Sequence, residues 1–285
     1  MNNLAHTRIA RMPVLELKGG MSFAASNQMA MQDIADGWRL WRLAWTLAWL
    51  DIRQRYRGSI LGPFWLTLST TVFVGALGIL YAELFHQDVH EYLPYLALSQ
   101  VLWSFLAVTV GEACICFTSA EGVIRAVRMP LFVHALRTLL RNVMVLGHNV
   151  VVIVAVDIIF AIKPGWYALL ALPGFAVWGV DTLAAALLLG AFCARFRDIT
   201  PIVASVMQIA FFLTPVLWLP GMLGRDAILL TYNPFYALLE IVRAPFLGTM
   251  PSGAVWISAV LYSLALCAVS WLLFVRARGR VAFWM

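Results

Sequence analysis

The chain has 285 residues, 62% of them hydrophobic and only 12% charged, with a mean hydropathy of +0.86. That is too little polar surface to cover a soluble globule of this size, so an all-α integral membrane protein is the class implied. A formal net charge of +6 would suit a nucleic acid or a membrane face. The positions of the charges decide for the membrane and against nucleic acid.

Residues 1–30 mix Arg8, Arg11, Glu16 and Lys18 with short apolar pieces, and no continuous apolar core of a cleavable signal forms. This stretch is expected to be a cytoplasmic tail. Next, Trp38, Trp41, Trp45, Trp49, Ile52 and Tyr56 recur in steps of three and four, sharing one helical stripe over 38–56. Arg39, Arg42, Arg53 and Arg57 flank the stripe, and the two arginines inside WRLWRLAWTLAWL argue against a crossing. The stretch 31–61 is therefore predicted to hold an amphipathic interface helix, indoles at headgroup depth, that ends in a basic joint. Leu40, Leu43, Leu47 and Leu50 face another way and predict a second surface packed on protein. Within the joint, Arg53, Arg55 and Arg57 precede a turn supplied by Gly58, Gly62 and Pro63.

Six apolar stretches then reach the length of about 20 residues that a bilayer crossing takes. They cover 64–85, 93–117, 142–162, 166–193, 199–219 and 254–275, giving a transmembrane domain over 62–276 and a cytoplasmic tail over 277–285. With both termini cytoplasmic, seventeen of the twenty Lys and Arg residues fall on that side, leaving Lys163, Arg225 and Arg243 outside. Between the last two stretches, TYNPFYALLEIVRAPFLG is too apolar for an aqueous loop and is broken by Pro234 and Pro245. A re-entrant helical pair covered by protein is predicted there. Between the second and third stretches, Glu121 and Gly122 punctuate a loop in which 124–129 can form a short helix carrying Arg125 and Arg128, ended by Pro130. A plain charged loop fits those residues equally well.

The joint DIRQRYRGSILGPFW resembles the stretch that opens permease subunits of polysaccharide-exporting ABC transporters, the ABC-2-type family that moves lipid-linked O-antigen, capsule or teichoic acid chains. It looks nearer to the lipopolysaccharide O-antigen exporters than to the capsule group, and the coupling loop, RFRD and FFLTPVLW extend the similarity along the chain. The resemblance implies a bacterial inner-membrane permease that pairs with a second copy and with a separate ATP-binding cassette subunit. ATP and Mg would be bound by that subunit, and no cofactor by this chain. It also implies that Glu121, Gly122, Ile124, Arg125, Arg128, Met129 and Pro130 meet the ATPase, with Arg197 and Asp198 in a second contact region. For the path of the glycan it implies aromatics of the first, second and fifth spans, here Phe64, Trp65, Tyr81, Trp103, Phe211, Phe212 and Trp218. Arg53, Arg55 and Arg57 fit either the diphosphate of a lipid-linked substrate or topology and anionic membrane lipid.

Among ionisable residues inside the spans, Glu112 is the best candidate for the path, while His148, Asp157 and Asp181 suit helix-to-helix hydrogen bonds better. Cys114 and Cys116 suit apolar filler better than a metal site. No G-x-x-x-x-G-K-[ST], H-E-x-x-H or G-x-S-x-G with plausible partners occurs, so an enzyme reading finds no site. Two other functions fit the same residues: an exporter of small amphiphiles or drugs, and a non-transporting scaffold for a glycan-synthesis complex.

Overall fold

The computed structural model describes residues 22–285 apart from 61, 63, 163 and 164. Arg8, Arg11, Glu16, Lys18, Pro63 and Lys163 lie outside the described residues, as does the side chain of Arg225. Helix α1 (Phe23–Arg39) starts inside the stretch expected as a tail, with the Ser22 hydroxyl accepting from the Ala25 N–H. Leu40 separates it from α2 (Trp41–Arg55), so the single helix expected over 38–56 is two. On α2 the indoles of Trp41, Trp45 and Trp49 are all exposed. The packed face is Ala44, Ala48 and Ile52, and Leu47 packs against the core as expected, whereas Leu40, Leu43 and Leu50 are exposed, contrary to the expectation. Small side chains let α2 lie close against its neighbour, which a row of leucines would prevent.

A turn with Gly58 and Gly62 at φ of 86° and 55° then leads to α3 (Phe64–Leu84). After it come α4 (Val89–Cys114), α5 (Glu121–Ala126), α6 (Phe132–Ile159), and α7 (Ala171–Arg195) behind a 3-10 turn at Trp166–Leu170. The chain continues through α8 (Ile199–Leu213), a kinked 3-10 stretch (Pro220–Tyr232), α9 (Pro234–Phe246), α10 (Gly253–Ala277) and α11 (Val281–Trp284). Among the described residues, five helices are long and apolar enough to cross a membrane: α3, α4, α6, α7 with its 3-10 lead, and α10. The fifth expected crossing is different, because α8 has 15 residues and spans only about 22 Å by helical rise. Its ladder stops at Leu213, before Pro215, which has no N–H to continue it.

α4 lies at the centre, packed by α3, α6, α7, α8 and α9. One apolar core joins α6, α7, α10 and the C-terminal tail at the arginine-rich end, and a second joins α4, α7, α8 and α9 toward the opposite end. At Gly174 an added Cβ would lie 2.8 Å from Val242, so α7 meets α9 without an intervening side chain. Two features of the arginine-rich end depart from the sequence reading. α6 begins ten residues before the expected third crossing, which puts Arg137 and Arg141 inside a helix rather than in a loop. The tail after α10 turns back, burying Val281 and Met285 in the core.

Asp33 explains how these pieces are joined. Buried on α1, it accepts the Leu131 and Phe132 N–H groups that open α6, at 3.3 and 3.0 Å, and also pairs with Arg278 of the tail at 2.7 Å. One carboxylate thus caps α6 from another helix and neutralises a cation, which offsets the cost of its own burial.

Candidate functional site

Three constructions occupy the regions where the sequence placed function. The first is a groove of about 600 Å³ on the flank of α4, between α3 and α8. Gln100, Trp103 and Gly111 of α4 form its floor, with Phe73 on one wall and Gln208, Phe211 and Phe212 on the other. The buried Trp103 ring lies 5.8 Å from Phe211 and 5.7 Å from Phe235, and Phe211 meets Phe212 edge-on at 5.3 Å. Phe212 is 62% exposed, so the aromatic row opens outward. Apolar ring faces with two amides between them are surfaces on which flat sugar faces stack and hydroxyls find partners.

Of the aromatics that the resemblance implies, Trp103, Phe211 and Phe212 lie together, and Trp218 stands beside them, its indole N–H donating to the Phe212 carbonyl at 3.1 Å. Phe64 and Trp65 are exposed at the arginine-rich start of α3, while Tyr81 is a helix length away, stacked on Phe85. Phe73, Gln100 and Gln208 were not anticipated. Gln100 and Trp103 lie three residues apart on α4, the spacing that puts both on one face.

The second construction ties α2 to the bundle. Asp51 accepts from Arg137 Nε at 2.7 Å and from Arg141 Nη1 at 2.8 Å, while Glu112 accepts from Arg141 Nε at 2.9 Å and from Arg55 Nη2 at 2.8 Å. Both Glu112 oxygens are thus engaged at the arginine-rich end of α4, and Glu112 is not among the groove's lining residues. Burial alone would raise the Asp51 carboxyl, but the hydrogen bond and charge of Arg137, aided by Arg141, hold it below the ordinary carboxylate value. The bond to Glu112 raises Arg55 above the ordinary guanidinium value. Arg55 is half-exposed, and Arg53 and Arg57 are exposed, so the three arginines of the joint have separate environments. Arg137 and Arg141 were missed as a pair, although their spacing of four in RTLLR places both on one helix face.

The third construction is the short helix α5. It ends at Ala126, so Arg128, Met129 and Pro130 follow it outside the helix. Glu121 pairs with Arg125 at 2.9 Å, and Arg125 also donates to the Met285 carbonyl. Ile124 and Met129 pack on the core, Gly122 is exposed, and Val123 and Val127 expose apolar side chains. Nearby, Arg197 and Asp198 are exposed at the α7–α8 turn, and the Arg195 guanidinium lies 5.9 Å from the Trp284 ring.

Arg243 is placed at the opposite end, yet it is no free exterior charge. Wholly buried on α9, it pairs with Glu240 and donates to the Pro215 carbonyl, Tyr95 hydroxyl and Ser99 hydroxyl at 2.6, 2.8 and 3.0 Å. Tyr95 donates to the Pro215 and Trp218 carbonyls, and Tyr92 to that of Leu217. These groups satisfy the backbone left open where α8 stops. Asn233 adds a bond to the Thr214 hydroxyl and caps α9. Of the other ionisable residues, Asp181 bonds Ser263 of α10 at 2.8 Å as expected, while His148 bonds Met144 of its own helix.

No family model matches the chain. Among curated proteins it is 23% identical over 199 residues to the O-antigen export system permease protein RfbA of Myxococcus xanthus, covering 69% of this chain and 76% of that one. Two Klebsiella pneumoniae proteins of the same name are 20% and 22% identical over 200 and 211 residues, each covering 70% of this chain and 77% and 78% of theirs. Taken with the joint motif and the helical architecture, these likenesses make the chain a relative of the permease proteins of ABC-2-type O-antigen export systems.

Proposed function

We propose that the chain is the membrane subunit of an ATP-driven exporter that carries lipid-linked, O-antigen-like polysaccharide across the bacterial inner membrane. The observation that carries this reading is the aromatic groove on α4, whose wall α8 is buried only at Met207 and Ala210. Two such faces from two copies would enclose a conduit that passes many sugar units without gripping one. α8, with the extended strip that follows it, would supply the sixth crossing, and α9 with the 3-10 stretch the re-entrant pair on the periplasmic side. The arginine-rich end would face the cytoplasm, as cationic loops prefer. There α5 and the α7–α8 turn would meet a separate ATPase, which binds ATP and Mg. Arg53 and Arg57, exposed beside the α2 indoles, would meet the diphosphate of the arriving lipid.

Two variants in one strain test the reading. Trp103→Ala with Phe212→Ala should leave the complex with the ATPase intact and sharply reduce surface polysaccharide; undiminished polysaccharide removes the groove from the path. Val123→Asp with Val127→Asp, changing only exposed side chains of α5 and the residue after it, should abolish co-purification of the ATPase. Unchanged co-purification removes that surface from the docking role.

A further inference from the structure

We propose that the arginine-rich end of α10 holds a site for an anionic phospholipid of the surrounding bilayer. A groove of about 330 Å³ is formed there by Val269, Leu272, Leu273, Arg276, Arg280 and Trp284. Leu272 and Arg276 lie four residues apart on α10, and Arg280, in the 3-10 turn that follows, lines the same groove, so the apolar face of a membrane-crossing helix runs into two cations. Val269 and Leu272 are exposed, as are Ile257, Leu261 and Leu264 further along α10, as lipid-facing residues should be. Among the described residues neither Arg276 nor Arg280 makes an ion pair, whereas Arg278 between them is taken by Asp33. Two exposed guanidiniums at the end of an apolar wall call for an anion that carries its own hydrocarbon.

The charges select the headgroup. Two cations lining one groove attract a phosphodiester and repel the ammonium of a zwitterionic lipid, so a glycerol headgroup is favoured over choline or ethanolamine. The phosphate sits at Arg276 and Arg280, and the first acyl carbons lie along Leu272, Leu273 and Val269 with the Trp284 indole at headgroup depth. Trp284 belongs to α11, whose end receives the Arg125 hydrogen bond and lies beside Arg195. A lipid seated in the groove therefore braces the tail beneath α5. This last consequence rests on the docking role proposed for α5; the lipid site itself does not.

Native mass spectrometry of the purified chain, without any ATPase, released from nanodiscs of mixed phosphatidylglycerol and phosphatidylcholine, tests the site. The wild type should retain phosphatidylglycerol in preference to phosphatidylcholine. Arg276→Gln with Arg280→Gln should lose it, while Arg39→Gln with Arg197→Gln, which removes the same charge from exposed arginines outside the groove, should keep it. Leu272→Trp fills the groove with both arginines in place and should lose the lipid as well, so the proposal can still fail if the arginine variant does not fold. Equal retention of both lipids by the wild type, or undiminished phosphatidylglycerol on either groove variant, overturns the site.

Discussion

α4 carries a buried arginine system near each end, and the two are built on opposite plans. At the arginine-rich end, Arg137 and Arg141 meet the carboxylates of Asp51 and Glu112, which join three helices, and Arg55 completes the set while half-exposed. At the other end Arg243 has one carboxylate, Glu240, and its remaining bonds go to hydroxyls and a backbone carbonyl. Carboxylate partners can be exchanged for one another or for phosphate with little change of geometry, whereas carbonyls of one broken strip cannot. The first system suits an element that moves, the helix α2; the second suits a fixed point against which α8 ends.

The largest expected effect breaks the fixed end. Arg243→Ala removes a wholly buried cation and strands the Glu240 carboxylate, at a cost of about 3–5 kcal/mol. Thermal unfolding of the purified chain in detergent should fall accordingly. Tyr95→Phe, which deletes one hydroxyl and keeps the ring under Arg243, should cost about 1–3 kcal/mol. A loss no larger than that of an exposed arginine would show that the strip holds itself.

Next comes Glu112→Ala, expected near the lower figure of about 3 kcal/mol, because Arg141 keeps Asp51 when Glu112 is gone. Asp51 adds a pH signature. Its folded carboxyl titrates below the ordinary value, so its contribution to stability is fully present above that value and disappears as pH falls through the folded one. The wild type should lose thermal stability on acidification below about pH 4. Asp51→Asn should be weaker at neutral pH and flatter in acid. Parallel curves for the two would show that Asp51 adds no stability through its charge.

The two ends also differ in how well they could be read from the residues. The helices α3, α4, α6, α7 and α10 were visible as long apolar runs, and Pro234 marked the start of α9, whereas Pro245 lies inside that helix instead of breaking it. Trp103, Phe211 and Phe212 could be gathered by resemblance, but Phe73 and the two glutamines could not, since nothing local reveals which face of α3 or α4 turns to α8. Long-range ties were the least legible. Nothing around Asp33 in the sequence points to its partners, and Arg243 was expected as an exterior charge. Each acquires its role only when a partner more than twenty residues away in sequence is folded onto it. Within the tail expected over 277–285, the return of Val281 and Met285 onto the core was not legible, since five residues are too few to show a period.

The smallest expected effect sharpens the comparison most. Arg55→Gln leaves Glu112 with Arg141, and because Arg55 is half-exposed its pair with Glu112 should be worth no more than about 1 kcal/mol. Global unfolding should barely move. Yet Arg55 is the member of the ion set that α2 contributes near its end, with Asp51 one turn before it. Losing it should loosen the end of α2 alone, so hydrogen exchange should rise for the last turn of α2 and stay unchanged across α4 and α6. Uniformly faster exchange in all three helices would mean that the ion set acts as one block, and the distinction between a movable end and a fixed end would then be lost. Unchanged exchange in α2 would place its anchoring entirely in Asp51 and in the Ala44, Ala48 and Ile52 face, making the helix as static as the strip that Arg243 holds.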